Sequence, residues 1–147
     1  MTTTHPSPQT ANGSEHSASV PETAYLTRPD GRVAFAVLGA LLLAALAAEA
    51  INHSTGYWQI AAFGFAPDLA LVYGAGRGLA HGQIHPRAVG LYNIVHRFWG
   101  PITLAALAAL GVLSVGFFIG ALTWAFHIAL DRSLGYGLRS SDGYQRP

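Results

Sequence analysis

The sequence predicts an all-α membrane protein with four transmembrane helices in an antiparallel up-down bundle. Three observations lead to this fold class. Hydrophobic residues make up 51% of the 147 residues and charged residues only 10%, whereas soluble domains contain about 25% charged residues. Four apolar runs have about the 20 residues that a bilayer-spanning helix needs. The connections between these runs are short, so that sequential helices are expected to be antiparallel neighbours.

Composition and motifs exclude several classes of function. The chain has no cysteine, which removes disulfides, thiolate metal sites and cysteine nucleophiles together. Its net charge of +1 does not indicate the positively charged surface that binds nucleic acid, so no nucleic-acid partner is expected. The sequence contains no Walker motif, no G-x-S-x-G and no H-E-x-x-H. Any functional site must therefore be built from polar residues that do not form one of these motifs.

The first 27 residues are expected to form a disordered polar tail. They are rich in Ser, Thr, Pro and His and contain no apolar run, so they cannot bury enough surface to fold. No apolar segment precedes Val33, and a secretory signal peptide is therefore not predicted. The transmembrane domain is expected to cover 28–139, with 140–147 as a short cytoplasmic tail.

The helices follow from the apolar runs in order. The second run is interrupted by Pro67 and Asp68, and a turn at Gly111 separates the third run from the fourth. A single helix from Trp99 to Leu130 would be too long for one crossing. The predicted spans are 33–51, 57–75, 88–110 and 112–130.

The orientation follows from the arginines, which alternate between the connections. Neither 52–56 nor the turn near Gly111 contains Lys or Arg, and only Arg97 lies within a predicted span. Because positive charge is retained in the cytoplasm, both termini are expected there, in a multi-pass protein of the bacterial inner membrane. The arginines that carry this inference are Arg28, Arg32, Arg77, Arg87, Arg132, Arg139 and Arg146.

Small residues recur every four positions along the first helix, at Ala36, Ala40, Ala44 and Ala48. Such a ridge lets helices approach closely in lipid. We expect this face to pack against another helix.

Four ionisable residues are expected to converge in the inner half of the bundle. Asp68 and His96 lie nine residues from Arg77 and Arg87, respectively, which places them at similar depth. His127 and Asp131 are four residues apart and share a helix face. Ionisable side chains at membrane depth are costly and usually face the bundle interior. The candidate site is therefore Asp68, His96, His127 and Asp131.

Three interpretations of this cluster remain open from the residues alone. The cluster can be structural, with Asp68 paired to an arginine. Two imidazoles and two carboxylates also match the ligands of zinc or a comparable divalent metal, whose bound water is a nucleophile near neutral pH. Axial haem ligation by His96 and His127 is the third interpretation.

Other polar residues are expected to support the site or to anchor the helix ends. Tyr92 and Asn93 lie within one turn of His96. Arg132, Arg139 and Tyr136 are expected at the membrane interface, with the Arg132 guanidinium turned toward the cytoplasmic headgroups.

Four segments occur in an order that resembles a known family. They are RPDG (28–31), APDLALVYG (66–74), YNIVHRFWGP (92–101) and HIALDRSLGYGLR (127–139). The sequence resembles the domain of unknown function 4260 family of small bacterial membrane proteins, from about Arg28 to Arg139. Asp30 stands where that family usually has Glu, and Arg97-Phe98 replaces a smaller polar residue and Tyr. The resemblance implies that the family's recurring polar positions correspond to Asp30, Asp68, Tyr92, Asn93, His96, His127, Asp131, Arg132, Gly135, Tyr136 and Gly137.

The family name carries no activity, and two functions follow as hypotheses. The first is a metal-dependent hydrolase of a lipid-borne or amphipathic substrate, because Asp and His on successive helices are similar to membrane-bound metal-dependent hydrolases. The second is a non-enzymatic membrane subunit whose polar cluster fixes helix packing or partner binding. The expected partners are the lipid bilayer and either further copies of the chain or another membrane protein.

Overall fold

The computed structural model describes residues 29–146, with side chains described from Gly31 onward. The predicted tail and Arg28 lie outside these residues, as does the side chain of Asp30. The regular secondary structure of the described residues is helical, apart from an isolated antiparallel bridge between Arg139 and Gln145. Its helices are α1 (Pro29–His53), α2 (Tyr57–Phe65), a 3-10 turn (Ala66–Asp68), α3 (Leu69–Gly74), α4 (Pro86–Val95), α5 (Trp99–Ala109) and α6 (Val115–Leu134).

All four predicted helical segments are present, and two of them are interrupted. The second is broken at the predicted place, where Pro67 lies in the 3-10 turn between α2 and α3. The turn before α6 is also at the predicted place, and Gly111 adopts a positive φ of 75° there. A positive φ is readily accessible only to glycine, which explains why the chain reverses at this residue.

The prediction of one continuous helix over 88–110 is wrong. Helix α4 ends at Val95, and α5 begins at Trp99. Pro101 lies in the first turn of α5, where its missing N–H costs nothing. In a continuous helix the same ring would clash with the carbonyl of Arg97 and would remove a hydrogen bond.

Helix α6 is the centre of the bundle. It packs against α1, α2 and α5, while α4 packs mainly against α3. Ile119 and Ile128 of α6 are fully buried. The first helix packs along α6 rather than along α2, so the expected pairing of sequential helices is wrong for this pair.

The small-residue stripe of α1 is exposed and is not covered by another described helix. Its four alanines (Ala36, Ala40, Ala44 and Ala48) are exposed. The buried face of α1 is offset from them and contains Gly39, Leu46 and Ala50. Leu46 and Ala50 form one hydrophobic cluster with Ile119, which fixes the rotation of α1 against α6.

Among the described helices, one is long and apolar enough to cross a membrane. This segment is Gly31–His53, with a mean hydropathy of 2.3, and only 17% of its apolar window is buried. The second and third predicted spans are divided into shorter helices by the interruptions above. The four-span topology therefore stays a prediction.

The arginine-bearing segments meet at one end of the bundle. Arg32, near the start of α1, donates to the carbonyl oxygens of Ser133 and Leu134 at 2.9 and 3.2 Å, at the end of α6. The segment after α6 folds onto the connection between α3 and α4, because the Ile84 N–H donates to the Gly143 carbonyl at 3.1 Å. Residues 140–146 are thus part of the folded unit.

The turn in this last segment is stabilised by Asp142. The Ser140 hydroxyl and the Tyr144 backbone N–H donate to its carboxylate. These two hydrogen bonds hold the pKa of the exposed Asp142 carboxyl below its ordinary value because they favour the charged form.

Candidate functional site

The four predicted residues lie around one centre. Asp68 comes from the 3-10 turn, His96 follows the end of α4, and His127 and Asp131 lie one turn apart on α6. The His96 Nε2 atom lies 3.8 Å from Asp68 Oδ1 and 3.4 Å from Asp131 Oδ2. The His127 Nε2 atom lies 3.5 Å from Asp68 Oδ1 and 3.7 Å from Asp131 Oδ2. Three elements distant in sequence therefore contribute to one Asp/His cluster.

The break between α4 and α5 positions His96. This residue leaves the helix with φ −99° and ψ 21°, and its Nδ1 atom lies 2.9 Å from the Tyr92 carbonyl oxygen. A carbonyl can only accept, so this hydrogen bond places the proton on Nδ1 and leaves the Nε2 lone pair directed at the cluster. A backbone carbonyl in this role is the usual outer partner of a metal-binding histidine.

The two imidazoles present unsatisfied nitrogen atoms to the centre. Among the described residues, no hydrogen-bond partner satisfies the buried Nε2 atoms of His96 and His127. Their separations from the carboxylate oxygens, 3.4 to 3.8 Å, exceed the usual hydrogen-bond range of about 2.7–3.2 Å. Buried polar atoms in native proteins normally have partners. Hydrogen bonds among the described side chains therefore do not satisfy the two Nε2 atoms.

The same spacings approach those between neighbouring ligands of a metal ion. Ligand atoms about 2.0–2.1 Å from a zinc ion are separated from one another by about 3.3–3.4 Å. The four N–O separations in the cluster, 3.4 to 3.8 Å, are slightly larger than these edges. The ligand atoms of Asp68, His96 and His127 all lie within 4.8 Å of one another. These three residues could hold a small divalent ion, whereas Asp131 is not part of the group in which all ligand atoms lie this close to one another.

Access to the centre differs between its members. The His96 side chain is 3% exposed and that of His127 is 12% exposed, whereas the Asp68 side chain is 49% exposed. The cluster is therefore closed on the imidazole side and open at Asp68. A small molecule can reach the centre there.

The haem interpretation does not fit this geometry. Axial ligation requires a flat macrocycle between the two imidazoles. Here Asp68 Oδ1 and Asp131 Oδ2 each lie within 3.8 Å of both His96 Nε2 and His127 Nε2. These carboxylates occupy the space that the macrocycle would need.

Tyr92 and Asn93 support the site by connecting His96 to the C-terminal segment. The Tyr92 ring stacks on the His96 imidazole, and the Arg139 guanidinium lies over the same ring, 5.0 Å from its centroid. The Asn93 side chain donates to the Arg139 carbonyl at 2.9 Å and accepts from the Arg139 N–H at 2.8 Å.

Arg139 was expected at the membrane interface, and that prediction is wrong. It is only 7% exposed, and its guanidinium donates to the carbonyl oxygens of Gly82 and Gly143 at 2.6 and 3.0 Å. The backbone oxygens at this end of the bundle give the charge hydrogen-bond partners, which is the condition for burying it.

The prediction for Arg132 is wrong for a similar reason. Its side chain was expected to face solvated headgroups, but it is 9% exposed and lies 3.5 Å from the His96 carbonyl oxygen. The break after α4 frees that carbonyl from the helical ladder. Arg132 therefore supports the site from within, as a neighbour of His96.

A further supporting residue, Trp124, was missed by the sequence interpretation. Its indole N–H donates to the Val95 carbonyl at 2.8 Å, at the end of α4. Gly100 lies against the same indole, leaving no room for a β-carbon. The Gly-Pro pair at 100–101 was the sequence signal for this contact. A new helix that starts there leaves the last carbonyls of the preceding helix without intrahelical partners, so that they need a donor from elsewhere.

The Gly-Tyr-Gly motif at 135–137 ends α6. Gly135 adopts a φ of 92°, which glycine accommodates at a helix C-terminus, and the Tyr136 N–H donates to the Asp131 carbonyl at 2.8 Å. The Tyr136 side chain is 50% exposed, so its support of the cluster is through the backbone. Gly137 is buried.

Comparison with known proteins agrees with the sequence motifs. No curated protein and no solved structure matches the chain. The model of the family described as Domain of unknown function (DUF4260) matches residues 34–146. This match includes the four cluster residues and the C-terminal segment that folds beside them. It confirms the predicted resemblance, and the chain therefore belongs to the DUF4260 family.

Proposed function

We propose that the chain is a multi-pass protein of the bacterial inner membrane that binds a divalent metal ion at the Asp/His cluster. Exposed apolar side chains support a lipid environment. Val33, Val37, Leu41 and Ile51 of α1 are between 55% and 74% exposed, and contiguous apolar surface of this kind is covered by lipid or by a partner. The arginine-bearing segments lie together at one end, as retention of positive charge in the cytoplasm requires.

One observation carries the metal proposal. Two buried imidazole nitrogens, which have no hydrogen-bond partner in the part of the chain that the structure describes, lie 3.4 to 3.8 Å from carboxylate oxygens. Imidazole and carboxylate together suit zinc or a comparable divalent ion. The proposed ligands are Asp68, His96, His127 and Asp131.

The proposed chemistry is hydrolysis of an amphipathic substrate. A divalent ion held by Asp68, His96, His127 and Asp131 would supply a hydroxide nucleophile near neutral pH. In the hydrolysis, the hydroxide oxygen would bond to the ester centre, the bond to the leaving oxygen would break, and the hydroxide proton would pass to the leaving oxygen. An apolar groove of about 360 Å³ reaches His127 between α1, α2 and α6, and its lining suits an alkyl chain.

Metal content tests this proposal directly. Protein purified in dodecyl maltoside and dialysed against zinc is expected to hold about one ion per chain, measured by mass spectrometry of the metal. His96→Asn and His127→Asn should lose it, whereas His81→Asn, in the exposed loop, should retain it. Equal zinc content in all four proteins, or none in the parent chain, would contradict a metal site.

Turnover of chromogenic amphiphiles tests the hydrolase assignment. The zinc-loaded protein is expected to release nitrophenolate from p-nitrophenyl octanoate or from octyl p-nitrophenyl phosphate, and Asp131→Asn should abolish the release. Loaded protein that cleaves neither would favour the second candidate function, a membrane subunit in which the cluster holds three helical elements together. The cluster does join the 3-10 turn, the end of α4 and α6, which is the observation that favours that alternative.

A further inference from the structure

A second cavity, of about 420 Å³, opens beside His96 at the break between α4 and α5. It is distinct from the apolar groove at His127, with which it shares no lining residue. Arg97 and Arg132 both line it, and its described lining contains no carboxylate. The cavity is therefore lined by one residue of the cluster and by two arginines.

The two arginines reach the cavity from different elements. Arg97 lies in the irregular segment between α4 and α5 and is exposed, whereas Arg132 projects from α6 and is buried. Its guanidinium lies 3.5 Å from the His96 carbonyl, so the positive charge is adjacent to the proposed metal ligand. Guanidinium groups bind phosphate and carboxylate through paired, charge-assisted hydrogen bonds.

Part of the cavity lining is apolar. Trp99 and Ile102 of α5 line it and are 73% and 55% exposed, respectively. An indole at the boundary between a polar cavity and an apolar surface suits a ligand with a polar head and an alkyl chain. The cavity therefore offers charged and apolar surface to the same molecule.

Building on the metal site proposed above, we propose that the ligand of this cavity is an amphiphile with a phosphate headgroup. The carboxylates of Asp68 and Asp131 neutralise a divalent ion, so the arginines supply the positive charge that an anionic headgroup needs. A phosphate headgroup has three terminal oxygen atoms and up to two negative charges, so it can form charge-assisted hydrogen bonds with both guanidinium groups. A carboxylate has two oxygen atoms and one charge, which match the paired hydrogen bonds of a single guanidinium group.

Binding of dodecyl phosphate to the full chain in dodecyl maltoside tests the assignment. The detergent has the same alkyl chain, so isothermal titration calorimetry reports the headgroup. Arg97→Gln is expected to weaken binding about tenfold or more, because it removes charged hydrogen bonds. Arg77→Gln is the matched control, since Arg77 is exposed in the loop between α3 and α4, and it should bind as the parent chain does. Dodecanoate should bind more weakly than dodecyl phosphate.

Equal effects of Arg97→Gln and Arg77→Gln would overturn the inference, as would equal affinities for dodecyl phosphate and dodecanoate. Each titration is repeated with zinc and with EDTA, and zinc content is measured for every variant. Arg97-dependent phosphate binding in a chain that never holds zinc would support the headgroup site and contradict the metal proposal. Zinc-loaded protein without such binding would contradict the headgroup site alone.

Discussion

The phenol ring of Tyr92 lies against the imidazole of His96, with ring centroids 3.9 Å apart and planes inclined by 18°. The Arg139 guanidinium lies over the same phenol ring, and Asn93 holds the Arg139 backbone through two hydrogen bonds. The orientation of the proposed metal ligand His96 is thus coupled to the segment that follows α6. The segment that contains Arg139 can therefore affect the orientation of His96 without contacting a metal ion.

Tyr92→Leu should weaken zinc binding. It removes the ring that restrains the His96 imidazole, and loss of such outer support typically costs about 10-fold to 100-fold in metal affinity. Competition with a chromophoric chelator measures the dissociation constant. Tyr92→Phe keeps the ring and should remain within about threefold of the parent chain. A leucine variant that binds zinc as tightly as the phenylalanine variant would show that the stacked ring has no part in the site.

Asn93→Ala should release the segment after Arg139. The side chain makes two hydrogen bonds to the Arg139 backbone, and their loss should cost about 1–3 kcal/mol of local docking free energy. Trypsin cleavage after Arg139 should become faster, as followed by mass spectrometry. Asn52→Ala, at an exposed position near the end of α1, serves as the control. Identical cleavage rates in the two variants would argue against the docking role.

Gly100→Ala should destabilise the fold. A β-carbon at this position would collide with the Trp124 indole, and overpacking of this kind costs about 1–3 kcal/mol. A β-carbon at Gly90 of α4 would meet nothing within 4 Å, so Gly90→Ala should be neutral or stabilise the helix by up to about 1 kcal/mol. The midpoints of thermal unfolding in detergent compare the two. A Gly100→Ala midpoint at or above that of Gly90→Ala would contradict the close packing.

Single cysteines can test the proposed topology, because the natural chain contains none. Ser54 and Ser141 are exposed at opposite ends of the described helices. If both termini are cytoplasmic, a membrane-impermeant maleimide should label Ser54→Cys in intact spheroplasts. It should label Ser141→Cys only after the membrane is permeabilised. Labelling of Ser141→Cys in intact spheroplasts would contradict a cytoplasmic C-terminus. Either the orientation or the number of spans would then be wrong.

The helix breaks show which features of the fold can be predicted from local sequence. Pro67 and Gly111 interrupt the chain at the predicted positions because a missing N–H and an accessible positive φ act within one turn. The break at 96–98 follows from the same rule applied to Pro101, yet the apolar run across it predicted one helix. Hydropathy measures the suitability of a segment for lipid and takes no account of the hydrogen bond that proline removes.

The composition, the apolar runs and the prolines by themselves determined the helical class, its four segments and the residues that form the candidate site. The four-residue spacing placed His127 and Asp131 on one face, since helical geometry is local. Only the tertiary structure decided that α1 packs through Leu46 rather than through its alanine stripe, and that Arg132 and Arg139 are buried. The rotation of a helix depends on the surface of its partner, and a buried guanidinium needs oxygen atoms from segments distant in sequence. His96, Gly82 and Gly143 provide those atoms, and their positions exist only once the chain has folded.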